Sequence, residues 1–145
     1  MKGIRVVDMT SALSGPFCTW LLASLGADVI KVENPAGDIV RNTPPFKDDI
    51  GVYFASVNRN KRSIKLDLKS EKGKLVLHKL LATADVFIEN MRPGVRSRLG
   101  CSEAILKKIN PRLITASITG FGQKGSLSDR PAYDIIVQAM SGMMS

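Results

Sequence analysis

The chain has 145 residues, 44% of them hydrophobic, and a formal net charge of +8 at pH 7. That length suits one domain with a core of its own, and no apolar run reaches the roughly 18 residues that a membrane span needs, so no membrane segment is expected. The two cysteines show no metal or redox spacing, and the one histidine gives Ser-His-Asp, Cys-His or His-metal chemistry little to build on.

Residues 3–33, GIRVVDMTSALSGPFCTWLLASLGADVIKVE, read as one βαβ unit. Ile4, Val6 and Val7 give residues 4–9 the β-branched apolar content of a short buried strand. Residues 10–15 are small and polar, a loop. Pro16 suits the first helical position, where its missing N–H costs nothing. Residues 17–25 are apolar on nearly every side, which predicts a buried helix with Cys18 in the core. Gly26 fits the left-handed position that ends a helix, and residues 27–33 form a second strand around Val29, Ile30 and Val32. Two strands joined by a helix are expected to be parallel with a right-handed crossover. The loop after the first strand then opens on a crevice at the carboxyl ends of the strands, where open α/β sheets bind ligands.

Residues 34–51 hold three of the seven prolines and no steady period, which predicts a long surface connection of the functional or disordered kind. Residues 52–57 read as a short helix or a strand, the helix preferred. Residues 58–63, NRNKRS, pack three cations into six positions, and residues 64–68 alternate as a half-buried or edge strand. Ser70 with Glu71 behind it makes a helix N-cap. Leu75, Leu77, Leu80 and Leu81 give residues 71–82 a broad apolar stripe, with His78 expected at the surface. Residues 85–90 form a third strand, 91–94 a turn, and 95–99 a short helix carrying Arg96 and Arg98. Ser102 and Glu103 start another helix that ends near Asn110 and Pro111. Residues 112–118 form a fourth strand, 119–131 a mobile loop, and the last helix starts at Tyr133. This order defines an α/β fold with a mostly parallel sheet. The last helix has no return strand, so the domain is expected to be cut short.

The charge suits an anionic partner such as a nucleotide, phosphate, nucleic acid or acidic protein, or it is only a solvated surface; charge alone does not decide. Glu33 ends the second strand, where NAD enzymes place an acidic residue on a ribose hydroxyl. The preceding loop reads MTSALSGP rather than GxGxxG, however, so the backbone lacks the glycines for close approach to a pyrophosphate, and a structural role for Glu33 is preferred. Parallel strands bring Asn90 and residues 11–14 to one crevice, with Arg92 and Arg98 nearby in sequence. Two guanidiniums beside an asparagine and open backbone amides suit a diphosphate; the alternative is that both arginines face solvent.

Five stretches in order carry a resemblance over nearly the whole chain: GIRVVDMTSALSGPFCTWLLASLGADVIKVENPAGD, YFASVNRNKRSIKLDLKSEKGK, ADVFIENMRPGVRSRLG, NPRLITASITGFGQKG and PAYDIIVQAMSG. Together they resemble the N-terminal part of the family III CoA-transferases, which include formyl-CoA and carnitine CoA-transferases and α-methylacyl-CoA racemase. The resemblance implies a Rossmann-like parallel sheet with flanking helices, residues 1–145 forming a CoA-binding domain that is the incomplete N-terminal part of a larger fold. It places coenzyme A against Leu13 and Ser14, against Glu33 and Asn34, and against Leu66, Asp67, Leu68 and Lys69. It adds Asn90, Met91, Arg92 and Arg98, and Ala132, Tyr133 and Asp134 along the border. Arg92 and Arg98 would neutralise CoA phosphates.

The resemblance further implies an aspartate nucleophile. Its carboxylate takes the acyl group from an acyl-CoA thioester, CoA thiolate attacks that anhydride, and the aspartyl-CoA thioester passes CoA to a carboxylic acid, one hard step divided into easier ones. In the family that aspartate lies beyond the stretch matched by PAYDIIVQAMSG, so Asp8 and Asp134 do not match it and no catalytic residue is expected in this chain. The racemase branch has histidine where Tyr133 stands, which argues against a racemase. Full-length members form interlocked homodimers. The expected partners are an acyl-CoA and a carboxylic acid, with no nucleic acid, no membrane and no metal, in the cytoplasm. A non-catalytic CoA or nucleotide module is the second reading. A basic nucleic-acid-binding domain is the third, and it lacks interleaved aromatics and any known motif.

Overall fold

The computed structural model describes residues 1–144. Its elements run β1 (Arg5–Met9), α1 (Ser14–Ser24), β2 (Asp28–Glu33), a 3-10 turn (Ile39–Asn42), β3 (Phe46–Lys47), β4 (Ile50–Gly51), α2 (Val52–Asn58), β5 (Arg62–Lys65), α3 (Glu71–Ala82), β6 (Val86–Glu89), α4 (Val95–Arg98), α5 (Glu103–Ile109), β7 (Ile114–Ser117) and α6 (Asp134–Met140). Five strands make one sheet in the order β5-β2-β1-β6-β7, every neighbouring pair parallel. Val7 stands opposite Ile30 on one side and Phe87 on the other. All carboxyl ends therefore fall on one side, as a Rossmann-like α/β sheet requires.

The two faces of the sheet follow from strand alternation. Val7, Met9, Val32 and Phe87 point to the side covered by α3 and α5, where Leu77, Leu81 and Leu106 meet them. Val6, Val29 and Ile88 point the other way, toward Ala23 and Ala27 at the end of α1. Leu77 and Leu81, four apart on α3, are fully buried, each worth about 1.5–3 kcal/mol of hydrophobic burial. The helix ends carry the chemistry read from the sequence. Ser70 Oγ accepts the Gly73 N–H at 3.0 Å, Ser102 Oγ accepts the Ile105 N–H at 3.4 Å, and Gly26 has φ 94° directly after α1.

Several expectations change. α1 starts at Ser14, so Pro16 is third in the helix rather than first, still within the turn whose N–H groups lack intrahelical partners. The helix is not buried all round: Gly15, Pro16, Thr19 and Ala23 are buried, whereas Leu13, Phe17, Leu21 and Leu25, every fourth residue, are exposed. Cys18 is half-buried. Leu75 is also exposed, because α3 packs through Gly73, Leu77 and Leu81. His78 is half-buried, with Nε2–H donating to the Gly100 carbonyl at 2.9 Å. The edge strand is residues 62–65 rather than 64–68. The connection after β2 holds the 3-10 turn and a small antiparallel hairpin, β3 with β4. Among the described residues no helix is long and apolar enough to cross a membrane.

Candidate functional site

A crevice of about 750 Å³ opens at the carboxyl ends of the strands, within the usual range for small-molecule sites. Four segments line it: residues 9–11 after β1, 32–38 at the end of β2, 66–69 after β5, and Asn90, Met91, Val95 and Leu99 after β6. Met9, Val32, Leu66, Leu68, Met91 and Leu99 supply an apolar surface; Ser11, Asn34, Asp67, Lys69 and Asn90 supply polar groups. Of the residues singled out in the sequence, Ser11, Glu33, Asn34, Leu66, Asp67, Leu68, Lys69, Asn90 and Met91 meet here. Leu13 and Ser14 lie outside the lining, at the start of α1, where no side chain caps the helix among the described residues. Arg92 and Arg98 are exposed, next in the chain to Met91 and Leu99. Ala132, Tyr133 and Asp134 are not in the lining either; Ala132 instead packs so tightly on Gly120 that a Cβ there would lie 1.8 Å from its own.

The backbone of the crevice is set by side chains beneath it. Asn90 Oδ1 accepts the Ser11 N–H at 2.9 Å and its Nδ2 donates to the Ser11 carbonyl at 2.8 Å, so half of its hydrogen-bonding capacity is spent on the loop. The Asp67 carboxylate accepts the Lys69 N–H at 3.0 Å. Gly73 lets α3 approach this turn: a Cβ there would lie 2.0 Å from the Asp67 carbonyl oxygen.

Below lies a network of buried charge, which the sequence reading missed. Asp8 is fully buried. Its Oδ1 accepts from the Thr10 N–H and hydroxyl, and its Oδ2 from Thr19 Oγ1 at 2.6 Å and Lys61 Nζ at 3.1 Å. Burial pushes the Lys61 ammonium below the usual lysine range, and Asp8 opposes that shift. Lys31 and Asp38 form an ion pair of 2.9 Å with both side chains 1% exposed. Asp38 Oδ2 gains the charge contact but no well-directed hydrogen bond. Glu33 accepts from Arg41 Nε and Nη2, both at 2.6 Å, from Ser63 Oγ, and from the Asp38 N–H at 2.8 Å. Burial alone would raise its pKa; the Arg41 and Ser63 hydrogen bonds and the Asp38 amide outweigh it and hold Glu33 at about 2. The Glu33 carboxylate is thus engaged within the fold, while the residue itself lines the crevice. Glu89 repeats the arrangement at the end of β6, accepting from Ser117 Oγ and the Met91 N–H.

The chain is thus a Rossmann-like α/β domain, a parallel sheet with a crevice at the carboxyl ends of its strands, where such sheets bind ligands. The sequence pattern of "CoA-transferase family III" matches residues 1–145, and the chain belongs to that family. It is 52% identical over 143 residues to acetyl-CoA:oxalate CoA-transferase of Acetobacter aceti, covering 98% of this chain and 37% of that protein. Succinyl-CoA:glutarate CoA-transferase of Mus musculus is 48% identical, with 99% and 34% covered. Among solved structures, a CAIB/BAIF family protein from Brucella suis superposes with a TM-score of 0.93 at 42% identity, covering 99% of this chain and 39% of that one. Rv3272 from Mycobacterium tuberculosis gives 0.93 at 38% identity, with 100% and 41% covered. The chain thus spans little more than a third of the length of the relatives it matches.

Proposed function

We propose that this chain is the CoA-binding part of a transferase that moves CoA between an acyl-CoA thioester and a carboxylic acid. The observation that carries the reading is the crevice itself, with its apolar walls and Lys69 in its lining; Arg92 and Arg98, which are exposed and flank the lining residues Met91 and Leu99 in the chain, show no side-chain ion pair or hydrogen bond among the described residues. Those walls suit the flat base and pantetheine of CoA, and the arginines with Lys69 suit its phosphates. Open amides at the start of α1 add donors for an anionic or carbonyl oxygen. In this reading Leu13, Ser14, Ala132, Tyr133 and Asp134 border the ligand from outside the crevice.

In this reading neither Asp8 nor Asp134 is the nucleophile of an aspartyl-CoA route. Asp8 is buried and fully engaged, and Asp134 opens α6 with its carboxylate on Gln138. We assign that nucleophile to the part of the relatives that this chain does not span, and expect residues 1–145 alone to show no CoA transfer.

Titrating CoA into the protein and into Arg92→Ala and Arg98→Ala tests the reading. Each substitution is expected to weaken binding by about 1–3 kcal/mol, the range for charge-assisted hydrogen bonds. Both arginines are exposed, so melting temperatures stay unchanged. Equal affinity in all three proteins, or salt-sensitive binding of a random DNA duplex with no response to CoA, would sink the assignment.

A further inference from the structure

The loop between β1 and α1 is held at three successive residues by side chains from other parts of the fold. Thr10 gives its N–H to Asp8 and its carbonyl to Lys31 Nζ at 2.8 Å. Ser11 gives both backbone groups to Asn90. Ala12 gives its N–H to Asp38 Oδ1 at 3.3 Å. Ala12 has φ 64°, a left-handed conformation that a residue with a Cβ keeps only when its surroundings impose it. α1 follows two residues later.

Lys31 and Asp38 are the two members of this grip that no sequence feature or resemblance singled out. A buried pair that served only the sheet would spend its bonds on neighbouring strands. Here Lys31 Nζ bonds the carbonyl of Thr10, and Asp38 Oδ1 divides between Ala12 and the Val40 N–H at 3.1 Å. The pair therefore joins the β1 wall of the crevice to the β2 wall. Breaking a buried pair by removing one partner is costly, whereas replacing both with apolar residues of similar volume is often neutral for stability. That difference separates positioning from bulk stability.

We propose that the Lys31–Asp38 pair is a positioning device that fixes the Thr10–Ala12 loop before ligand arrives, so that it sets the affinity for the CoA moiety rather than the stability of the fold. The inference rests on the CoA-binding reading above. Its test compares the protein with Asp38→Asn and with the paired Lys31→Met/Asp38→Leu, measuring CoA affinity by calorimetry, melting temperature, and amide hydrogen exchange at Ser11 and Ala12 without ligand. The paired variant is expected to melt near the parent temperature, to exchange the Ala12 amide at least tenfold faster, and to bind CoA roughly tenfold more weakly, about 1.4 kcal/mol. Asp38→Asn, which leaves Lys31 unpaired, is expected to lose affinity at least as far. Parent-like affinity and exchange in the paired variant overturn this inference alone. Failure of both variants to fold also overturns it, because the pair would then be holding the fold and not the loop. A parent protein that binds no CoA removes the reading above and this inference with it.

Discussion

Glu33→Gln exposes how the end of β2 is held. The wild-type carboxylate takes two hydrogen bonds from Arg41, one from Ser63 and one from the Asp38 amide, and its pKa falls from 4.5 to about 2. A carboxyl whose folded pKa is depressed stabilises the fold above its unfolded pKa and loses that contribution as pH falls toward the folded value. A shift of about 2.5 units at 1.36 kcal/mol per unit corresponds to about 3 kcal/mol at neutral pH. Urea unfolding of both proteins should therefore show a gap of about 3 kcal/mol at pH 7 that holds down to about pH 5. Below the unfolded pKa the wild type alone binds the extra proton on unfolding. The gap should then close by about 1.4 kcal/mol by pH 3.5 and vanish near pH 2. A gap independent of pH between 5 and 3.5 would refute the assignment of a charged, hydrogen-bonded Glu33.

Lys61→Met leaves the buried Asp8 carboxylate with only its Thr10 and Thr19 partners, and a loss of about 3–5 kcal/mol is expected in urea unfolding; a loss under about 1 kcal/mol would show that the threonines suffice. Gly15→Ala puts a Cβ 2.3 Å from Thr10 Cβ, whose side chain Asp8 already fixes, so a loss of about 1–3 kcal/mol is expected, read as a lower melting temperature. Burial and the Glu89 charge push the Cys101 thiol up to about 11 despite the opposing Arg96 charge. A thiol reagent at pH 8 should label the half-buried Cys18 first and Cys101 only on unfolding; equal rates would count against that burial.

The sequence made the frame legible where one local signal sufficed. α3 begins and ends where Ser70 and the leucine spacing place it, and Gly26 closes α1 in the left-handed conformation expected of it. The crevice followed from strand direction, which put Ser11 and Asn90 beside it, and the family resemblance named Glu33, Asn34, Leu66, Asp67, Leu68, Lys69 and Met91 of its lining. The buried charges were not legible. Lys31 alternates with apolar residues in DVIKVE and so reads as a solvent-facing position; its partner Asp38 comes seven residues later, inside a stretch without period. Lys61 sits in a run of cations that reads as surface, yet its side chain is 2% exposed. α1 misled for the opposite reason. A helix apolar on every side carries no information about which side meets the sheet, and Phe17 and Leu21 face outward, as do Leu13 and Leu25 at its two ends.

The two borders of the sheet differ in how they receive another strand. β5 carries Arg62 and Lys65, both exposed, along one border, and a strand approaching there must strip water from two cations. β7 forms the other border with Ile114, Thr115, Ala116 and Ser117 and no charge, and Ile114 is 64% exposed. Cations guard a sheet border against extension, and an uncharged, exposed strand invites it. Growth of this sheet is therefore directional. An added strand, from the same polypeptide or another, meets its lowest barrier beside β7, on the far side of β6 and β1 from the buried ion pairs around Glu33.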